Sequence, residues 1–129
     1  MRKLFAGTII AILGSAFAAE YTKLTPAQIQ AEVQAGKAVL VDVRETEECA
    51  ASGVAQPAKV LPKRDFDGNQ KQWQAFLAAN KGKQVLVYCA SGRRSKAVAE
   101  ALAAKGIESA NVGGLKDWAA AGLPVRKVE

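Results

Sequence analysis

The chain has 129 residues, with 18 lysines and arginines against 12 aspartates and glutamates, two cysteines and no histidine. Without histidine, a Ser-His-Asp triad, a Cys-His protease pair and an imidazole zinc site are excluded, and two cysteines cannot form a four-thiolate metal site. The net charge is +6, but the lysines and arginines do not form a basic stripe interleaved with aromatic residues, so no nucleic-acid partner is expected. A basic balance suits a small anionic substrate, although solubility alone would explain it.

Residues 1–18 have the pattern of a secretory signal peptide. Arg2 and Lys3 form a positive end, residues 4–13 are apolar, and residues 16–18 read Ala-Phe-Ala, a small-residue cleavage site. The apolar stretch is shorter than the ~20 residues that a membrane-spanning helix needs. We therefore expect cleavage after residue 18, export to the periplasm, no membrane association after cleavage, and one domain in residues 19–129.

Helical and strand patterns alternate along that domain, which predicts an α/β fold with a mostly parallel central sheet flanked by helices. The run at 39–43 is typical of a strand buried on both faces. On the helix at 69–79, Trp73, Phe76 and Leu77 share one face and are expected in the core. In chain order, the patterns predict a helix from Thr25-Pro26 to near Gly36, a strand at 39–43, a short helix at 45–51, a weaker strand at 58–61, a helix at 69–79, a strand at 85–88, a helix at 95–105, a strand at 107–112 and a last helical segment at 115–121.

Cys89 lies between the strand at 85–88 and the helix at 95–105, in a short loop that leads into a helix N-terminus. The backbone N–H groups of such a loop and the helix dipole favour a thiolate over a thiol. Arg93 and Arg94 add positive charge, so a nucleophile could form here without a histidine base. The alternative interpretation is that Cys89 is a small, inert core residue at the end of a strand.

Other residues also follow predicted strand ends. Asp42 and Arg44 follow the first strand and Gly113-Gly114 follow the last, so they should converge with Cys89 on one rim of the sheet. Asp42 and Arg44 could instead be a structural or solvated pair, and the two glycines a turn that needs an unusual φ. Cys49 is interpreted as a core residue, although after export a Cys49–Cys89 disulfide could form and would quench the nucleophile.

The chain resembles the rhodanese domain over nearly all of the residues that follow the signal peptide. Three motifs carry the resemblance: D-V-R-E at 42–45, C-x-x-G-x-R-S at 89–95, and G-G-L-x-D-W at 113–118 followed by G-L-P-V at 122–125. With its signal peptide, the chain is similar to the small single-domain periplasmic rhodaneses of the phage-shock-protein E type. It departs from the family at 52–58, where a G-H-I-P-G-A-like segment is replaced and its histidine is absent.

The resemblance implies a sulfurtransferase that uses no metal and no organic cofactor, and a monomer is expected. Cys89 would be the catalytic nucleophile, taking sulfane sulfur from thiosulfate or a similar small anionic donor and passing it to cyanide or a thiol. Arg94 matches the family's loop arginine and would brace the loop or attract the anion, whereas Arg93 is at a variable position. Asp42 and Arg44 would support the rim. The substrate-binding loop would comprise Ala90, Ser91, Gly92, Arg93, Arg94 and Ser95.

The same scaffold could serve three alternative functions. Rhodanese-related phosphatases have a longer loop, with the arginine one position further from the cysteine. Here it lies five positions after Cys89, which fits a single sulfur better than a phosphate. A persulfide carrier or relay for a protein partner and a non-catalytic binding module both stay open.

Overall fold

Helices and strands alternate along the chain, as the sequence patterns predict. The structure is a computed structural model that describes residues 24–128; the predicted signal peptide and its cleavage site lie outside the described residues. The helices are α1 (Pro26–Gln34), α2 (Thr46–Ser52), α3 (Lys63–Asp67), α4 (Lys71–Ala79), α5 (Arg93–Ala104) and α6 (Leu115–Ala120). The strands are β1 (Ala38–Asp42), β2 (Val54–Ala55), β3 (Lys59–Val60), β4 (Gln84–Cys89), β5 (Ser109–Gly114) and β6 (Val125–Arg126).

Four strands form a parallel sheet in the order β3-β1-β4-β5. The central strands β1 and β4 are buried almost throughout, as the near-continuous apolar runs predict. Because all four strands run the same way, Asp42, Cys89 and Gly114 end their strands at the same edge. The register of β4 against β5 shifts before Cys89, which places Gly114 opposite it.

The core lies on both faces of this sheet. Alternate residues of β4 divide between the faces, so Val87 and Cys89 contact the layer of α3, α4 and α5, whereas Leu86 and Tyr88 contact the layer of α1 and α6. The expected core role of Trp73 is confirmed: the indole is fully buried and packs edge-to-face on Phe66 and Phe76. The side chain of Cys89 therefore points toward α5.

Three elements of the structure have no counterpart in the sequence prediction. Helix α3 is five residues long, and β2 and β6 have two residues each, which is too short for a periodic pattern. Strands β2 and β6 pair antiparallel and form a second, two-stranded sheet. Among residues 24–128, none of the helices is long and apolar enough to cross a membrane.

The boundaries of several predicted elements also differ by one or two residues, and α4, for example, begins at Lys71 instead of residue 69. Helix α5 begins at Arg93 instead of residue 95, because Gly92 adopts a left-handed conformation, φ 96°, and turns the chain into the helix within one residue. Strand β5 spans Ser109–Gly114 instead of residues 107–112. The earlier start of α5 shortens the segment between β4 and this helix.

Candidate active site

The sulfur of Cys89 lies inside the turn that connects β4 to α5. The backbone N–H of Gly92 donates to Sγ at 3.0 Å, and the hydroxyl of Ser95 donates at 3.3 Å. Cys89 is buried, with none of its surface exposed. The backbone N–H groups of Ser91, Gly92 and Ser95 point at this sulfur, as expected of a thiolate beside a helix N-terminus.

Hydrogen bonds lower the pKa of the Cys89 thiol. Burial alone acts in the opposite direction and raises the pKa. The Ser95 hydroxyl and the backbone N–H groups of Ser95, Gly92 and Ser91 outweigh that effect, because each stabilises the thiolate. The sulfur therefore has the environment of a nucleophile instead of that of an inert core thiol.

The end of β5 presses against the same turn. A Cβ on Gly114 would overlap the carbonyl oxygen of Ala90, and Gly92 lies next to Gly113 and Asn111. The expected convergence of the Cys89 turn with Gly113-Gly114 is therefore present. Gly113 has φ 102°, so the interpretation of this pair as a turn with unusual φ also holds.

Arg94 braces the turn from outside. Its guanidinium donates to both carboxylate oxygens of Glu48 on α2, at 2.7 and 2.9 Å. The hydrogen bonds from Arg94 lower the pKa of Glu48 to about 2, and Glu48 in turn raises that of Arg94. Cys89 also contributes to the raised pKa of Arg94, so this guanidinium interacts with the sulfur as well as with Glu48, whereas Arg93 is exposed.

Asp42 and Arg44 form a buried ion pair. Arg44 donates through Nε and Nη2 to the carboxylate of Asp42, and also to the hydroxyl of Ser52 and the carbonyl of Gly53. These bonds fix the C-terminal end of α2 to the end of β1. The pair is thus structural, and it supports the site through α2, the helix that presents Glu48.

Cys49 is buried on α2, and the structure contains both cysteines as free thiols. Burial is the main cause that raises the pKa of Cys49 to about 11, and the neighbouring Asp42 carboxylate adds to it. Cys49 therefore occupies the core position that the sequence predicts. No group of residues suited to hold a metal ion occurs in the part of the chain that the structure describes.

Two residues of the site were not identified from sequence. Glu48 has no local signal, since its partner Arg94 is 46 positions away. Asn111 interrupts the apolar end of β5, and a polar residue inside a buried strand is a signal that could have been followed. Its side chain contacts Gly92, Ser95 and Gly113.

An open cleft of about 610 Å³ borders the turn. Ser91, Gly92 and Asn111 form one wall, and Asp117 on α6 faces them. A small molecule could bind in this cleft, next to residues that surround the sulfur.

Residues 25–121 match the family model described as "Rhodanese-like domain". Among curated proteins, none is similar enough in sequence to count as a relative. A rhodanese-like domain protein from Staphylococcus aureus is 33% identical, with a TM-score of 0.60, over 81% of this chain and 97% of that one. A rhodanese from E. coli, solved with anions, is 31% identical, with a TM-score of 0.56, over 70% of this chain and 98% of that one.

Two further similar structures are under 25% identical and show the fold alone. A thiosulfate sulfurtransferase from Pseudomonas aeruginosa is 24% identical, with a TM-score of 0.67, over 91% of this chain and 22% of that one. A Rhodopseudomonas palustris protein of unknown function, described as a possible tyrosine phosphatase, is 22% identical, with a TM-score of 0.66, over 91% of this chain and 93% of that one.

Proposed function

Because the chain belongs to the rhodanese-like family, we propose that it is a sulfurtransferase that carries sulfane sulfur on Cys89 as a persulfide. The proposed donor is thiosulfate or a similar small anion, and the acceptor is cyanide or a thiol. One observation carries the proposal: Sγ lies inside a turn whose N–H and hydroxyl groups stabilise negative charge on sulfur.

In the first half-reaction, the Cys89 thiolate attacks the outer sulfur of thiosulfate. The new S–S bond forms as the bond between the two sulfurs of thiosulfate breaks, and the electron pair of that bond leaves with sulfite. The enzyme then holds Cys–S–S⁻, so one negative charge stays in the turn. The N–H groups around Sγ would stabilise that charge, as oxyanion-hole donors do for oxygen.

In the second half-reaction, cyanide or a thiolate attacks the outer sulfur of the persulfide. A bond forms between the acceptor and that sulfur, the S–S bond breaks, and its electron pair returns to Sγ of Cys89. The products are thiocyanate or an acceptor persulfide, together with the original thiolate. No external oxidant or reductant is needed.

The length of the turn disfavours phosphatase chemistry at this site. The loop arginine, Arg94, follows Cys89 by only five positions, and a turn this short suits a single sulfur better than a phosphate. We expect no hydrolysis of p-nitrophenyl phosphate by the purified protein.

The test is the intact mass of the protein before and after thiosulfate, without reductant. We expect a gain of one sulfur atom, its removal by cyanide with release of thiocyanate, and no gain in Cys89→Ser. Cys49→Ser is the matched control and should load sulfur normally. If a free Cys89 thiol takes up no sulfur, the proposal fails and the binding-module alternative gains support. If sulfur loads from a protein persulfide but not from thiosulfate, the protein is a relay.

We also propose that the protein acts in the periplasm as a monomer, based on the N-terminal pattern and on the small size of the substrates. Cell fractionation together with the mass of the exported chain tests the location, and light scattering tests the monomer. An uncleaved chain in the cytoplasmic fraction would contradict the location.

A further inference from the structure

Asn111 contacts Gly92 and Ser95, two residues that donate hydrogen bonds to the reactive sulfur. Its Nδ2 donates to the carbonyl of Gly92 at 3.0 Å, and its Oδ1 accepts from the Ser95 hydroxyl at 2.7 Å. Oδ1 also accepts from the backbone N–H of Gly113 at 3.2 Å, and with the bond to Gly92 this fixes the orientation of the amide. Asn111 itself makes no hydrogen bond to Sγ among the bonds of the described residues. The hydrogen bonds of Asn111 therefore act on the sulfur only through Gly92 and Ser95.

The Ser95 hydroxyl has two acceptors but only one hydrogen. Asn111 Oδ1 lies 2.7 Å from Oγ, and Cys89 Sγ lies 3.3 Å from it. When the sulfur is a thiol, the S–H can donate to Oγ while the hydroxyl donates to Asn111. When the sulfur is a thiolate, it has no hydrogen to give, and an anion is a stronger acceptor than an amide oxygen. The hydroxyl can change acceptor by rotation about its own C–O bond.

We propose that Asn111 is a positioning residue for sulfur transfer: it holds the Ser95 hydroxyl while Sγ is uncharged and releases it when Sγ becomes anionic. This inference rests on the proposed function. In the persulfide the charge lies on the outer sulfur, so the hydroxyl returns to Asn111. When the acceptor breaks the S–S bond, the electron pair moves to Sγ and the hydroxyl turns back to it. This change of acceptor by the Ser95 hydroxyl therefore stabilises the Cys89 thiolate as the leaving group of the second half-reaction.

The other charged groups near the turn set a background that a change at Asn111 leaves in place. They are Arg93 and Arg94 on α5, Glu48 on α2, the buried pair Asp42 and Arg44 beside β1, and the exposed Asp117 on α6, whose carboxylate lies next to Gly113. A shift that depends on the Ser95 hydroxyl therefore reports on the path from Asn111 to the sulfur, because none of these groups needs that hydroxyl.

The test uses Asn111→Asp, which keeps the size of the side chain and the acceptor for Ser95, makes that acceptor anionic and removes the Nδ2 donor to the Gly92 carbonyl. The rate of Cys89 alkylation by iodoacetamide is followed against pH, with the modified residue identified by peptide mass. We expect the pH of half-maximal rate to rise by about one unit or more, because the carboxylate keeps the hydroxyl away from the sulfur and repels the thiolate. In the Ser95→Ala background the same substitution should produce a clearly smaller rise, since only the direct repulsion and the lost hydrogen bond to the Gly92 carbonyl remain.

Ser109→Ala is the matched control. Ser109 lies on the same strand, is buried, and donates to the carbonyl of Ala99 on α5 at 2.7 Å without contacting the sulfur's donors. It should leave the alkylation profile unchanged, and thermal melts establish that each variant folds. A rise of equal size with and without the Ser95 hydroxyl, or no rise at all, overturns the inference.

Alkylation needs no sulfur donor, so this result is independent of the proposed function. If the coupled shift is observed but Cys89 takes up no sulfur from thiosulfate, the proposed function fails while the path from Asn111 to the thiolate stands. If sulfur loads normally but the shift is the same in both Ser95 backgrounds, the reverse holds.

Discussion

Glu48 and Arg94 form a bidentate ion pair that joins helix α2 to the first turn of α5, with N–O distances of 2.7 and 2.9 Å. Glu48 Oε1 also accepts from the backbone N–H of Glu45, so the pair connects the loop around Cys89 to the beginning of α2. The two residues lie 46 positions apart in sequence. The shape of the turn around the sulfur thus depends on a residue that comes long before it in the chain.

We expect Arg94→Ala to lower thiosulfate:cyanide turnover more than Arg93→Ala, because Arg94 braces the turn and Arg93 is exposed. The expected loss is about tenfold, which corresponds to about 1.4 kcal/mol of transition-state free energy. Glu48→Gln should lower kcat in the same way, with Glu47→Gln as the exposed neighbour for comparison. Equal steady-state losses for the two arginine variants would contradict the bracing role.

The same ion pair predicts how stability depends on pH. The pKa of Glu48 falls from the ordinary 4.5 to about 2 in the folded protein, so the pair's stabilisation is complete above about pH 4.5 and is lost as the pH falls toward 2. Because both side chains are about one-third exposed, the contribution is ~1 kcal/mol or less. Urea unfolding of wild type and Glu48→Gln should differ at pH 6 and converge near pH 2. A difference that persists at pH 2 would mean that the pair is not its source.

The two cysteines should react differently with iodoacetamide. The pKa of Cys89 is lowered from the ordinary 9.0, whereas that of Cys49 is raised to about 11. At pH 7 we therefore expect alkylation of Cys89 alone in the folded protein, and turnover that declines as acid converts the thiolate to the thiol. Peptide masses identify the modified residue, and Cys49→Ser should leave the acid limb of the pH profile in place. Preferential labelling of Cys49 would refute the assignment of the nucleophile.

Breaking the buried pair at the end of β1 should destabilise the whole protein. Asp42→Asn leaves the Arg44 guanidinium buried without its counter-charge, which typically costs about 3–5 kcal/mol. The exposed pair of Lys63 and Asp67 on α3 is a suitable comparison, since Asp67→Asn removes a helix pair worth about 0.2–0.5 kcal/mol. Urea unfolding measures both free energies, and a loss of similar size in the two variants would show that burial of Asp42 contributes little.

Gly114→Ala tests the close approach of β5 to the turn. The added Cβ would overlap the carbonyl oxygen of Ala90, so either the turn or the strand must shift and turnover should fall. Gly82→Ala is the control: its φ is +85° and no atom lies within 4 Å of the added Cβ, so it should cost about 1 kcal/mol of stability without changing kcat. Unchanged turnover in a folded Gly114→Ala protein would show that the contact with Ala90 is dispensable.

Local patterns were sufficient to predict the parallel sheet and the position of Cys89. The apolar run at 39–43 became β1, and the strand-turn-helix order around Cys89 is present with α5 beginning two residues earlier than expected. Each of these predictions depends on residues within a few positions of one another. The rhodanese-like family was likewise predicted from three short motifs and is confirmed.

The supports of the site could not be predicted in the same way. Glu48 meets Arg94, and Asn111 meets Gly92, only after the sheet has brought α2, α5 and β5 together. Strands β2 and β6 are equally non-local, since two residues in each find their partner across the whole domain. Hydrophobic periodicity reports which face of an element is buried, but not which polar side chain will find which partner.

Strand β6 lies beyond residue 121, where the family match ends, yet it pairs with β2 immediately after the Gly53 carbonyl that Arg44 holds. The indole of Trp118 and the guanidinium of Arg126 fasten this last segment through the carbonyls of Pro124 and Gln56. A protein that ends at residue 121 would therefore lose the strand pairing and the hydrogen bonds that hold the segment after α2. An affinity tag or fusion partner is therefore best joined after residue 128 through a flexible spacer, so that it does not disturb the pairing of β6 with β2.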